Sequence, residues 1–150
     1  MSDHRERQRL LLLVALHAGK ISGKTKLQKL VYLVQRESGV SPLASTFHFE
    51  PYLYGPFSQD LSGEVDQLER ELILARDPYL YQQKGQTMAT ASCELTAKGQ
   101  EEARRLSERF AEESEAVRSV VERYRYEPLP RLLDHVYATY PEFAINARRD

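Results

Sequence analysis

Between Lys24 and Glu37 the apolar residues Leu27, Leu30, Val31 and Val34 fall at i, i+3, i+4 and i+7, the spacing of one helix face, while Lys24, Lys26, Lys29 and Arg36 lie elsewhere on the helix surface. The stripe predicts a helix that buries one side and carries its bases on the others. Before it, Glu6 to Ala18 reads as a buried helix ending near Gly19, with Ser22 placed to cap the next one. Gly39 and Pro42 mark a loop. Phe47, Phe49, Tyr52 and Tyr54 then make an aromatic, strand-like piece that Pro51 restricts to an edge or a bulge. The piece runs into Tyr54-Gly55-Pro56-Phe57-Ser58, read as a strand-to-helix junction. There Gly55 admits backbone angles closed to other residues, Pro56 fixes its own φ, and Ser58 can cap the helix that follows. That helix carries Leu61, Val65, Leu68 and Leu72 as one apolar stripe over roughly four turns.

The period then changes. Tyr79 to Lys84, a turn at Gly85-Gln86, and Thr87 to Leu95 read as a β-hairpin. Thr96 is an expected N-cap, and from Ala97 the chain is helical, with Ala103, Leu106, Phe110, Val117, Val121 and Tyr124 on its apolar side. This stretch runs to Tyr124 either as one rod or with a bend near Glu112 to Glu115. Pro128 and Pro130 bracket a break, after which Leu132, Leu133, Val136, Tyr137 and Tyr140 form a last short helix that stops before Pro141.

Three helices, a strand fragment, a hairpin and a further helix, in that order, match an α+β, mainly α chain: a winged helix-turn-helix with a two-stranded wing and a C-terminal helical extension. With 150 residues and 41% apolar content the chain is expected to form a single globular unit. Residues 1–96 would be the winged-helix core including the wing, and residues 97–150 an extension packed on that core.

Charge and cysteine content narrow the setting. The net charge of −1 gives no overall attraction to phosphate, so nucleic-acid binding would need a local basic face. The single Cys93 excludes a disulfide framework within the chain and fits a reducing, cytoplasmic compartment. No apolar run approaches the ~20 residues that span a bilayer. Leu10 to Leu16 is too short, and the charged His4 to Arg9 before it reads as a helix start, since no small-residue cleavage site follows.

Several segments carry a family resemblance. Leu95-Thr96-Ala97-Lys98-Gly99 looks like the LT-x-K-G segment that leaves the wing in many winged-helix regulators. Thr25 to Leu33, TKLQKLVYL, together with Tyr54-Gly55-Pro56-Phe57-Ser58, resembles the YwgA-like uncharacterised proteins. The same KLQKL and YGP elements are more weakly similar to SocA-like or Panacea antitoxin domains. Leu132-Leu133, Val136-Tyr137 and Tyr140-Pro141-Glu142 also look familiar from the first group. The resemblance implies a small bacterial or archaeal winged-helix protein without known catalytic residues, in which Tyr54 to Ser58 is a family mark.

The residues themselves point away from catalysis. Ala18 to Thr25, AGKISGKT, fits a relaxed phosphate loop. However, the run before it starts inside a charged helical pattern, and no later apolar strand ends in an acidic residue to hold magnesium. It reads as a helix end meeting a helix start. His4, His17, His48 and His135 lack i, i+4 pairing and cysteine partners, so no metal site is expected. Ser58 and Thr96 serve as caps, and Cys93 as strand packing. A non-enzymatic protein without cofactors is the expectation.

Two functions then compete. Winged helices commonly dock one helix and the hairpin on double-stranded DNA. Arg5, Arg7, Arg9, Lys20, Lys24, Lys26, Lys29 and Arg36 stand against one acid, Glu6, from His4 to Arg36, whereas Glu37 to Ala75 holds seven acids against Arg70 alone. The helix after Ser58 would repel phosphate, so the nominated DNA contacts are Lys20, Lys24, Lys26, Lys29 and Arg36, with Lys84 at the hairpin tip. This reading gives a DNA-binding transcriptional regulator. The alternative is a protein-interaction adaptor or antitoxin-like module, supported by the oppositely charged halves and by Tyr52, Tyr54, Phe57, Tyr79 and Tyr81. The apolar surplus from Ala97 to Tyr140 further predicts a homodimer joined through the extension.

Overall fold

The computed structural model describes residues 4–145, a mainly helical α+β chain with two small antiparallel sheets. Helix α1 (His4–Ala18) has every residue from Leu10 to Ala15 buried, the all-round covering of a central helix. Its coat comes from α2 (Lys24–Glu37), α3 (Gln59–Arg70), α4 (Ala97–Arg109) and α5 (Ala111–Tyr124), with most of the packing against α4 and α5. Helix α6 (Leu129–Thr139) closes over α2, and short 3-10 turns occupy Ser41–Ser45 and Pro141–Phe143. No helix among the described residues is long and apolar enough to cross a membrane.

Ser22 does not cap α2. Gly23 holds the N-cap position and no side chain bonds the first amides. The reason lies in the hairpin: Ile21 exchanges two backbone hydrogen bonds of 2.8 Å with Cys93, and the Ser22 carbonyl accepts from the Tyr79 hydroxyl at 2.5 Å. The connection between α1 and α2 is thereby tied to the sheet.

The aromatic segment also differs from its expected form. Strands β1 (Glu50–Tyr52) and β2 (Gly55–Phe57) pair antiparallel, with Tyr52 opposite Gly55 and Glu50 opposite Phe57. Gly55-Pro56-Phe57 is thus the return strand of a tight hairpin with Leu53 and Tyr54 at its tip, and only then does the chain enter α3. Gly55 does take the left-handed conformation, at φ +85°, and a Cβ there would meet Leu133 Cδ2 at 3.3 Å and Lys29 Cε at 3.4 Å. Ser58 caps α3 by accepting from the Leu61 amide at 3.2 Å. Leu72 leaves the stripe, however: α3 ends at Arg70, Leu72 turns to φ +61° and is 69% exposed, and Ile73 takes the buried place.

Strands β3 (Leu74–Gln83) and β4 (Gln86–Leu95) form a ten-residue ribbon running from Leu74 opposite Leu95 to Gln83 opposite Gln86. It begins five residues before the expected Tyr79. Lys84 and Gly85 at the tip have φ of +51° and +77°, the paired left-handed residues of a type I′ turn. Thr96 caps α4 by accepting from the Gly99 amide at 3.0 Å while donating to the Leu72 carbonyl at 2.6 Å.

The long C-terminal helix is broken at Phe110, whose φ of −116° and ψ of 55° end α4 and start α5, two residues before the earliest bend anticipated. Ala103, Val117, Val120, Val121, Leu132 and Val136 belong to the same buried cluster as α1 and α2. Much of the apolar surplus of the extension is therefore covered within the chain, while Leu106 and Phe110 stay partly exposed.

Candidate functional site

Helix α2 does its polar work inward. Gln28 meets the backbone of Ser58 as a strand would: its Oε1 accepts from the Ser58 amide at 2.9 Å and its Nε2 donates to the Ser58 carbonyl at 3.0 Å. Two turns on, Gln35 repeats the device. It accepts from the Phe47 amide at 2.9 Å and donates to the carbonyls of Phe47 and Ala44 at 3.1 Å. Both ends of the segment entering and leaving the β1–β2 hairpin are therefore bonded to one helix. Between them Lys29, only 2% exposed, donates from Nζ to the Pro56 carbonyl at 2.9 Å. Among the described residues no acid pairs with it, and burial pushes its ammonium down to about 7.

These contacts rearrange the nominated DNA surface. Lys29 is a core residue beneath the Tyr54 to Ser58 corner, which corrects its expected place on a solvent face: the aliphatic stem fills the space beside Gly55 and the corner's carbonyl takes the charge. Lys26 is half-buried and donates to the Arg125 carbonyl at 2.7 Å. Lys24 pairs with Asp66 at 3.3 Å, Lys20 with Asp77 at 3.8 Å and Arg36 with Glu142 at 3.5 Å, the last also stacking over Tyr140. Lys84 is exposed at the ribbon tip, at the far end from the α2 bases. The six bases thus do not converge on one face.

The acids of α3 are likewise engaged. Asp60 pairs with Arg7 at 3.5 Å, Glu69 with Arg76 at 2.7 Å and the buried Glu64 with His4 Nδ1 at 2.8 Å. The opposite charges of the N-terminal and central segments meet each other inside one chain. Of the aromatic cluster, Tyr52 stacks beside Phe57 with centroids 5.2 Å apart and Tyr79 beside Tyr81 at 6.2 Å, as two separate pairs.

An open groove of about 720 Å³ lies between α1 and α4, where sequence reasoning nominated no site. Leu12, Leu106 and Phe110 give it an apolar lining, and Arg5, Arg9, Arg105 and Arg109 stand along it with Glu6 and Glu102. Arg9 is fixed by two hydrogen bonds to Glu113, at 2.8 and 3.2 Å, and lies 4.1 Å over the Phe110 ring. The sequence signal for it is Arg5 and Arg9 of the first helix, which a charge count groups with the lysines of the second, although Arg9 is bound to Glu113 of α5 and Lys24 to Asp66 of α3.

A second unforeseen constellation surrounds Glu37. Its carboxylate accepts from the Tyr124 hydroxyl at 2.6 Å, the Tyr140 hydroxyl at 2.9 Å and Arg123 at 3.0 Å, and lies 3.2 Å from His135 Nε2. Burial opposes its ionisation, but the hydrogen bonds from Tyr124, His135 and Tyr140 outweigh it and hold the carboxyl below its usual range. The same contacts, added to burial, raise both tyrosines. The partners come from α5 and α6, about 90 residues away, so no local motif announces them. Thr139 Oγ1 lies 3.4 Å from His135 Nδ1 on the other side of the imidazole, and the arrangement fastens α2 to α5 and α6.

The remaining candidates are structural. Residues 18–25 connect two helices rather than a strand and a helix. Cys93 is buried, which pushes its thiol up to about 11. Among the described residues no three His, Cys, Asp or Glu side chains are grouped to hold a metal. Compared with models of protein families, with curated proteins and with solved structures, the chain finds no match.

Proposed function

We propose that this chain is a non-enzymatic, winged-helix, YwgA-like protein that works as an interaction adaptor, with the α1–α4 groove receiving an acidic amphipathic helix of a partner protein. The helix order, the corner before α3 and the ribbon bridged to the α1–α2 connection support the winged-helix reading. The groove carries the functional one. An apolar lining has nothing to offer a phosphate backbone, whereas it suits the i, i+3/i+4, i+7 side chains of a docked helix, and the arginines alongside suit carboxylates flanking that stripe. A DNA-binding regulator is the weaker reading, because Lys24, Lys26, Lys29 and Arg36 are taken up by partners of their own chain.

The test uses two labelled probes at low salt, a 20-residue amphipathic helix with glutamates beside a Leu/Phe stripe and a mixed-sequence DNA duplex. The peptide should bind and lose roughly tenfold or more in affinity when Arg105 and Arg109 are both changed to Glu. Binding of the duplex with a steep salt dependence, and none of the peptide, would instead establish the DNA reading.

A further inference from the structure

We propose that the outer edge of β4 is a docking strand for a second copy of this chain, the two ribbons joining about a two-fold axis into a four-stranded antiparallel sheet. The backbone geometry selects the edge. Cys93 gives both its N–H and its C=O to Ile21, away from β3, so in an antiparallel ladder every second residue back along β4 points its backbone groups the same way: Ala91, Ala89 and Thr87. Ile21 and Gly23 run beside the upper part of this edge, where a Cβ on Gly23 would lie 4.0 Å from the Ala91 carbonyl oxygen. Below that point, Thr87, Met88 and Ala89 are exposed.

The opposite edge of the ribbon is interrupted. Pro78 stands across from Ala91, so its nitrogen faces outward from β3, where it has no hydrogen to donate. Of the two edges only that of β3 carries a proline at an outward position, which favours pairing along β4.

The chemistry of the ribbon selects the occupant. Natural sheets protect exposed edges with charges, yet Lys84 is the one charged residue from Pro78 to Cys93 in a chain that is 29% charged. About a two-fold axis only the residue on the axis faces its own copy while its neighbours face one another, so a charge at the axis would meet its like, and the uncharged run from Gln86 to Thr90 meets only uncharged residues. An uncharged strand with small outer residues is complementary to itself and offers nothing to a charged partner. The ribbon also leaves Leu80 70% exposed and Tyr79, Tyr81 and Met88 more than a third exposed, side chains that a two-stranded ribbon cannot bury alone. With the axis at Met88, Thr87 of one copy meets Ala89 of the other, for roughly four inter-chain main-chain hydrogen bonds, and Tyr81, Met88 and Thr90 line one continuous face.

Sedimentation equilibrium of the full chain tests this with two variants. Ala89→Pro removes only an outward N–H, as Pro78 does on the other strand, and should leave the far-UV spectrum unchanged while weakening dimerisation about tenfold or more. Met88→Cys places the only accessible thiol at the axis, where facing Cα atoms would stand about 4.5 Å apart, within disulfide reach. Mild oxidation should convert it to a covalent dimer, whereas Leu80→Cys on the interrupted edge should not respond. The proposal is overturned if the wild type stays at 17.3 kDa up to several hundred micromolar, if Ala89→Pro dimerises as well as the wild type, or if Met88→Cys resists cross-linking.

Discussion

Lys29 and Pro56 are joined by a hydrogen bond of 2.9 Å between a buried ammonium and the backbone carbonyl at the centre of the Tyr54 to Ser58 corner. A lysine so placed is held mainly by desolvation, which lowers it from 10.5 to about 7 in the folded chain. Between those two values the unfolded chain binds the proton and the folded chain does not, so stability must rise with pH across that window. Below pH 7 both states are protonated and the cost of the buried charge is constant. Lys29→Met removes this dependence: the stability of the wild type relative to the variant should grow from pH 7 to pH 10 by a few kcal/mol. Urea unfolding of both proteins at four pH values checks it, and parallel curves would disprove the buried charge.

Gln28 bonds both backbone groups of Ser58, the residue that also caps α3. Gln28→Glu keeps the acceptor but sets a second oxygen against the Ser58 carbonyl. It should cost about 3 kcal/mol, more than Ser58→Ala, for which the loss of the cap and hydroxyl predicts about 1 kcal/mol. Denaturant midpoints give both numbers.

Two glycines in helices should respond oppositely to alanine. A Cβ on Gly99 would stand 2.2 Å from the Ile73 carbonyl oxygen, a backbone atom that cannot step aside. Gly99→Ala should lose about 3 kcal/mol or more. Gly63, in α3, has nothing within 4 Å of the same position, and Gly63→Ala should gain up to about 1 kcal/mol. Thermal melts of the pair separate the two environments.

Glu37 stabilises as the carboxylate. Because its folded value lies below 4.5, its contribution is complete above that pH and is lost as pH falls through the folded value. Glu37→Gln should cost about 2 kcal/mol at pH 7, and the gap between variant and wild type should narrow in acid. A gap that stayed constant down to pH 3 would show that charge plays no part.

Those four sites also mark where sequence reasoning succeeds and where it stops. The stripe Leu27, Leu30, Val31, Val34 placed α2, and the local chemistry of Ser58, Thr96 and Gly55 named two caps and one left-handed residue, since each is decided within four residues of chain. Leu72 was misplaced because a stripe does not say where its helix ends. The fates of Gln28, Lys29, Gln35 and Glu37 were invisible for another reason. A polar residue beside an apolar stripe looks like solvated surface, and only the tertiary arrangement shows it facing a backbone 12 to 30 residues away, or hydroxyls nearly 90 away. The α1–α4 groove depends on two helices whose starts, His4 and Ala97, are more than 90 residues apart, so no window of sequence contains it.

The central position of α1 has a consequence for biosynthesis. Its run from Leu10 to Ala15 is translated before the helices that cover most of it, since α4 and α5 are completed only when translation has reached Tyr124. Until then the nascent chain presents an uncovered leucine-rich segment, made well before the helices that enclose it. Such a chain depends on chaperone shelter at the exit tunnel more than one whose core is assembled from neighbouring segments.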